Sequence, residues 1–329
     1  MSEQKVCVTG GTGFIGGALV RRLLAGGNEV RVLARPSRGA DDLEALGAKV
    51  VRGNVRDSVA ADGAVAGAKV VYHTSAKVEG SGSLDAFMDT NVGGTQKVLQ
   101  ACVRQGVRHM VYISSIAVYG PALEGEAINE DTPLEGAPRE RDFYAQSKIA
   151  AEEIVTSFAG QTGLAVTILR PGIVFGPGRE LPVALLGVRR PKANWVFGTR
   201  TQHFPLTYIE NLVDAIELAG QATSQGLKKY IVIDDENLTL GKYHETLGGL
   251  EKRSTLFFPG WPVIFASTCH MVPSDNGLFS KGQVKRGLED RLYDTRRIRE
   301  ELGWRPKVPL REALQGTLKT STTPTSAGQ

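Results

Sequence analysis

The sequence predicts an α/β fold, a doubly wound parallel sheet followed by a smaller C-terminal lobe. Short apolar runs alternate with helical patterns through roughly the first 170 residues, the rhythm of βαβ units. A glycine-rich turn joins the first of those strands to the first helix. After Arg170-Pro171-Gly172 the alternation loosens, and prolines and glycines become frequent.

The strands are read at Val6–Val8, Val30–Leu33, Lys49–Arg52, Val70–His73, His109–Ile113 and Val166–Leu169. Between the first strand and a helix through Ala18–Leu24 lies Thr9-Gly10-Gly11-Thr12-Gly13-Phe14-Ile15-Gly16, and Gly26-Gly27 ends that helix. Gly10 permits a tight turn, Gly13 lets backbone approach a pyrophosphate, and Gly16 lets helix and strand pack closely. The helix N-terminus then offers unpaired N–H groups to phosphates. Strand, turn and helix in this order make a Rossmann-type dinucleotide site, where a bare glycine triplet would not. Further on, Phe87–Gln105 reads as one long amphipathic helix with Val92, Val98, Leu99 and Val103 on its apolar face, closed by Gly106.

The second strand ends at Arg35, with Arg38 close behind. An acidic residue about 20 positions beyond the glycines would bind a ribose 2′-hydroxyl, whereas arginine accommodates a 2′-phosphate. NADP is therefore expected over NAD. The competing reading makes both arginines ordinary solvated loop charges. Asp41 and Asp42, the nearby acids, lie too far past the strand to be the expected partner.

A chain of 329 residues accommodates one large α/β domain or two smaller ones. We divide it into a Rossmann domain over 1–174, a mainly substrate-binding lobe over 175–318 with segments returning to the sheet, and a tail over 319–329 too polar to order. The net charge of +4 is modest and its signs are interspersed, which argues against a nucleic-acid partner. Cys7, Cys102 and Cys269 match no metal-ligand spacing, so no metal is expected. Unpaired buried thiols fit a reducing cytoplasm. The first strand begins almost at once, leaving no room for a signal peptide. The apolar stretch from Phe257 to Cys269 is too short for a span and is broken by Pro259 and Pro262, so no integral membrane segment is expected. It could line a greasy pocket or touch a membrane surface. There is no internal repeat.

Tyr144-Ala145-Gln146-Ser147-Lys148 opens a helix, and its i, i+4 spacing puts the tyrosine and lysine on one face. A phenol titrates near pH 10, and a neighbouring ammonium favours its phenolate, bringing it toward useful acid–base range. The upstream strand ends in Ser114-Ser115-Ile116-Ala117-Val118-Tyr119-Gly120, at the edge of a parallel sheet where ligands bind. A hydroxyl there could hold a substrate oxygen, or it could merely satisfy turn backbone, the reading that suits Ser114 best.

In order along the chain, these stretches resemble the extended short-chain dehydrogenase/reductase superfamily, whose members include nucleotide-sugar epimerases, dihydroflavonol reductases and 3β-hydroxysteroid dehydrogenases. The resemblance adds Gly53-Asn54-Val55-Arg56-Asp57, Val71–Ala76, Asn91-Val92-Gly93-Gly94-Thr95, Leu169–Gly178, Thr207–Ala215 and Leu302-Gly303-Trp304-Arg305-Pro306. It implies Ser115, Tyr144 and Lys148 as catalytic residues, with Lys148 also holding the nicotinamide ribose. It further implies that Gly10, Thr12, Gly13, Phe14, Ile15 and Gly16 hold the pyrophosphate, and that Asn54 and Val55 lie near the adenine. Thr74, Ser75, Ala76 and Lys77 would pass behind the pyrophosphate and ribose, and Ser114 would lie beside the cofactor. Pro171, Gly172, Ile173 and Val174 would cover the nicotinamide. Asn91 matches an asparagine tied to the active-site network, a structural role being the alternative. The family also dimerises through two helices, for which those after Asp85 and Tyr144 are the candidates.

Three function classes compete. Dehydratases carry an acidic pair after the serine or threonine; here those positions are Ile116 and Ala117, which argues against dehydration. An epimerase recycling tightly bound NAD would want an acid where Arg35 stands. The expected function is thus NADP-dependent interconversion of a ketone and a secondary alcohol on a small or lipophilic substrate. A nucleotide-sugar 4-epimerase and a non-enzymatic NADP-binding sensor are the alternatives. In the second lobe Phe204, Tyr208, Phe257, Phe258, Trp261 and Phe265 could form an apolar pocket or simply core. Arg179, Arg189, Arg190 and Arg200 could meet an anionic substrate group or face water.

Overall fold

Apolar alternation builds the sheet. In β1 (Lys5–Thr9), Val6 and Val8 face one core while Cys7 faces the other. The strands β2 (Glu29–Ala34), β3 (Lys49–Arg52), β4 (Val70–His73), β5 (His109–Ile113), β6 (Ala165–Pro171) and β11 (Leu227–Val232) complete a parallel seven-stranded sheet in the order β3-β2-β1-β4-β5-β6-β11. The order reverses between β1 and β4, so the crevice outside their C-terminal ends is where a ligand belongs. The structure, a computed structural model, describes residues 4–78, 83–120, 126–182, 187–190, 192–222, 225–260 and 287–321.

One face of the sheet is covered by α1 (Phe14–Ala25), α2 (Arg38–Ala45) and α7 (Ile209–Gln221), the other by α3 (Ser58–Val65), α5 (Gly94–Arg104) and α6 (Phe143–Thr162). All six strands expected from sequence are present, and β11 is a segment of the second half that returns to the sheet. The remaining elements are β7 (Ile173–Phe175) paired with β10 (Leu206–Tyr208), and a three-stranded sheet of β8 (Gly187–Arg189), β9 (Ala193–Phe197) and β12 (Ser254–Phe258). Helices α8 (Leu240–Glu251), α9 (Arg296–Glu301) and α10 (Leu310–Ser321) complete the fold.

Two expectations change. The helix expected over Phe87–Gln105 is α4 (Leu84–Met88), a π-helical turn over Asp89–Gly93, and α5. Within it Val98 and Leu99 are fully buried, but Val103 is 45% exposed, because the buried face of α5 runs through Thr95, Val98, Leu99 and Cys102 and Val103 lies at its edge. Helix α10 runs to Ser321, into the tail expected from 319, and 322–329 lie outside the described residues. Cys7 and Cys102 are buried free thiols, whereas Cys269, Trp261 and Phe265 lie outside the described residues. Among the described residues no helix is long and apolar enough to cross a membrane.

Candidate active site

Two elements meet at the site because of local signals in the chain. Asp142 caps α6, its carboxylate accepting Ala145 N–H at 3.0 Å, which starts the helix one residue before Tyr144. Ser115 caps the 3₁₀ turn Ile116–Val118 by accepting Ala117 N–H at 3.1 Å. Its own O–H donates to nothing among the described residues and remains available to a ligand. Ser114 differs: its hydroxyl donates to Glu152 at 2.6 Å, so its proton is committed.

A cavity of about 540 Å³ opens at the C-terminal ends of the strands. It gathers Ser114, Ser115, Tyr144, Lys148, Ile15, Thr74, Ala76, Pro171, Gly172, Ile173 and Val174 from the expected site. The Lys148 ammonium is buried, donates to Ile113 O at 2.7 Å and lies 4.9 Å from the centroid of the Tyr112 ring. Burial pulls its pKa down to about 8, so it is still a cation at neutral pH.

Asn91, on the π turn, accepts Lys77 N–H at 2.6 Å and donates to Lys77 O at 3.0 Å and to Ser147 Oγ at 2.8 Å. Ser147 in turn donates to Tyr144 O at 2.8 Å. Asn91 is thus a positioning residue that ties the Thr74–Lys77 loop to the helix bearing the tyrosine. Behind them, His73 is 1% exposed and held between Thr9 Oγ1 (2.5 Å) and Thr95 Oγ1 (2.9 Å). Burial, aided by the Lys148 charge, depresses its pKa to about 3. Between that value and its ordinary 6.5 the unfolded imidazole takes a proton that the folded one refuses, so stability falls as pH drops through this window. His73→Gln should show a shallower loss of urea midpoint between about pH 6.5 and 4 than the parent. A parallel slope would show that the ring contributes nothing to acid lability.

The glycine turn fits a dinucleotide. Gly10 has φ +73°, and a Cβ on Gly16 would lie 2.2 Å from Gly10 O and 2.6 Å from Thr74 Oγ1. Helix α1 begins there with Gly13 as its cap, without a side-chain cap or an acid in its first turn, leaving its N-terminus for an anion. Helix α2 packs beside the turn: a Cβ on Gly39 would be 3.7 Å from Thr12. Arg35 and Arg38 are exposed at this corner and form no ion pair among the described residues, while Asp41 accepts from Arg52 at 2.8 Å. Asn54 accepts Arg56 N–H at 3.1 Å, and Val55 is buried under Gly94. Ser75, Phe14 and Lys77 are not among the cavity's lining residues: Ser75 lies against Gly10, the Phe14 ring under Arg179, and the Lys77 ammonium 5.1 Å from the centroid of Phe87.

Of the described second-lobe candidates only Arg179 lines the cavity. Arg189 pairs with Glu251, and Arg190 and Arg200 stack on Trp195 and Phe257. Phe204 and Tyr208 are core, the first edge-on to Tyr243 of α8 and the second packed against Phe175 of β7. Sequence reasoning missed Asp142, His203, Glu289, Arg291 and Tyr293, which line the cavity. The last four come from segments far along the chain, and no local motif marks them.

A family model described as the NAD dependent epimerase/dehydratase family matches residues 6–233. A 2-alkyl-3-oxoalkanoate reductase of Stenotrophomonas maltophilia is 34% identical over 248 residues, 72% of each chain. A 3beta-hydroxysteroid-dehydrogenase/decarboxylase of Arabidopsis thaliana is 26% identical over 272 residues, covering 77% of this chain and 62% of that one, under two thirds of its length. The structure of a UDP-glucose 4-epimerase with UDP-glucose from Thermotoga maritima shares the fold, with TM-score 0.75 and 21% identity over 96% of this chain and 98% of that one. With a family match that runs from the first strand to the end of β11, the chain belongs to the NAD dependent epimerase/dehydratase family and is an NAD(P)-dependent enzyme acting on CH–OH groups.

Proposed function

We propose that the protein is an NADP-dependent oxidoreductase interconverting a ketone and a secondary alcohol on a lipophilic substrate. The observation that carries this reading is the cavity that holds Ser115, Tyr144 and Lys148 together with Pro171–Val174, while Ile116 and Ala117 line it where a dehydratase would need acids. The residues that would hold the cofactor are Gly10–Gly16, Arg35, Arg38, Thr74–Lys77, Lys148 and Pro171–Val174. When bound, the nicotinamide supplies the hydride acceptor or donor for the substrate carbon. Tyr144 gives a proton to the carbonyl oxygen in reduction and takes it back in oxidation. Ser115 donates its free O–H to the same oxygen. Lys148, charged one helical turn from Tyr144, favours the phenolate form of the tyrosine.

The preference for NADP rests on the exposed cations Arg35 and Arg38 at the corner of the glycine turn, neither of them spent on an acid among the described residues. Arg35→Glu should weaken NADPH binding by at least about tenfold and leave NADH within about threefold, measured by calorimetric titration. Equal loss for both cofactors would remove Arg35 from the 2′-phosphate site. Purified protein arriving with tightly bound NAD would favour the nucleotide-sugar 4-epimerase, for which Arg179 in the cavity is the supporting feature.

A further inference from the structure

We propose that the outer face of the sheet of β8, β9 and β12 docks on an anionic lipid bilayer, binding at the headgroup boundary without spanning it. Along β9, Asn194 and Val196 are buried while Trp195 between them is 38% exposed, and along β12 Leu256 is 48% exposed. The register makes these a row: Leu256 and Val188 stand directly beside Trp195 on the two flanking strands. The Phe258 ring extends the row, 5.6 Å from Trp195 and 5.7 Å from Phe197. The opposite face is spent on α8, where His244 meets Thr255 Oγ1 at 3.1 Å and the Phe257 ring at 5.8 Å. Lone exposed aliphatics need no explanation, but Trp195 is the only exposed aromatic among the described residues and sits in a cross-strand apolar row.

Charge identifies the partner. Residues 187–197 and 251–258 carry Arg189, Arg190, Lys192, Lys252 and Arg253 against the single acid Glu251, an excess equal to the chain's whole net charge of +4. Glu251 is itself committed to Arg189. The Arg190 guanidinium lies 5.2 Å from the centroid of the Trp195 ring, and Arg253 donates to Arg190 O at 2.5 Å, which holds cations at the edge of the apolar row. Lys192 and Lys252 are exposed and form no ion pair among the described residues. Indole rings settle at the headgroup level, and lysine or arginine beside them attracts anionic lipids. A polyanion alone would satisfy the cations and leave the apolar row in water, whereas a headgroup boundary takes both. The face adjoins the cavity, since Tyr243 of α8 donates to Pro182 O at 2.6 Å and Pro182 lines the cavity wall.

The test is cosedimentation of the full chain with vesicles of phosphatidylcholine, alone or mixed with phosphatidylglycerol. In low salt the mixed vesicles should bind at least about tenfold more tightly, each basic residue at an anionic surface being worth about fivefold. High salt should release the protein, because it screens exposed charges. Lys192→Glu with Lys252→Glu should abolish the preference for phosphatidylglycerol. Trp195→Ser with Leu256→Ser should weaken binding to the mixed vesicles by at least about tenfold at unchanged net charge. The exposed lysine pair keeps the proposal testable if the apolar pair misfolds. Brominated phosphatidylcholine in the mixed vesicles should quench tryptophan fluorescence in the parent and not in Trp195→Phe, Trp304 being 1% exposed. No binding to mixed vesicles in low salt, binding that neither pair changes, or quenching that persists in Trp195→Phe overturns the proposal. So does a dimer, seen by light scattering, that Trp195→Ser with Leu256→Ser dissociates without any vesicle binding, since it would assign the face to a second copy. None of these readouts involves turnover, so they stand whatever reaction the cavity hosts.

Discussion

On the proposed reductase reading, Tyr144→Phe should lower kcat for carbonyl reduction by about 10²–10⁴-fold, the range that a positioned proton donor contributes. NADPH affinity and the thermal midpoint stay near those of the parent, because the phenolic oxygen is the only atom removed. The ring remains half-buried, Asp142 still caps α6, and Ser147 still donates to the backbone carbonyl of residue 144. Stopped-flow single turnover separates the proton-coupled step from cofactor release. A loss of less than about tenfold would mean that another group, or water, protonates the substrate oxygen. A protein that binds NADPH, turns over no ketone and is unaffected by the change would instead be the sensor.

The largest stability effect is expected at the pair beneath the site. Glu152 and Arg170 are 0% and 1% exposed by side chain, and Arg170 Nε lies 3.1 Å from Glu152 Oε1. Arg170 also donates to Tyr119 Oη and, at 3.1 Å, to Glu130 O, while Ser114 donates to Glu152. Glu152→Ala leaves a buried guanidinium without its carboxylate and should cost about 3–5 kcal/mol, a fall in thermal midpoint on the order of 10 °C. Glu152→Leu combined with Arg170→Met should recover most of that loss, since an apolar pair replaces a desolvated ionic one. A single-variant cost below about 1 kcal/mol would show that water reaches this layer.

Local chemistry was legible where the signal was local. The alternating apolar runs located β1 to β6, the glycine turn located the mouth of the crevice, and the Tyr144–Lys148 spacing put two catalytic candidates on one helix face. Ser114 and Ser115 were adjacent and similar in sequence, yet the fold separates them: one proton is spent on Glu152, the other is kept. That distinction depends on a carboxylate 38 positions away and had no local mark. The same holds for Arg291, which comes within hydrogen-bonding distance of Tyr119 across 172 positions. The break in the helix was hidden for another reason, since hydrophobic periodicity assumes 3.6 residues per turn and the chain departs from it over Asp89–Gly93.

That departure amounts to a phase slip. Counted from α4, the helix would present one set of side chains to the Thr74–Lys77 loop; counted from α5, it presents another; and Asn91 lies where the two counts change over. The residue that fastens the loop to the tyrosine helix is therefore delivered by arithmetic rather than by composition. Insertions and deletions in this helix would act on the site as changes of frame, whatever amino acid they add or remove.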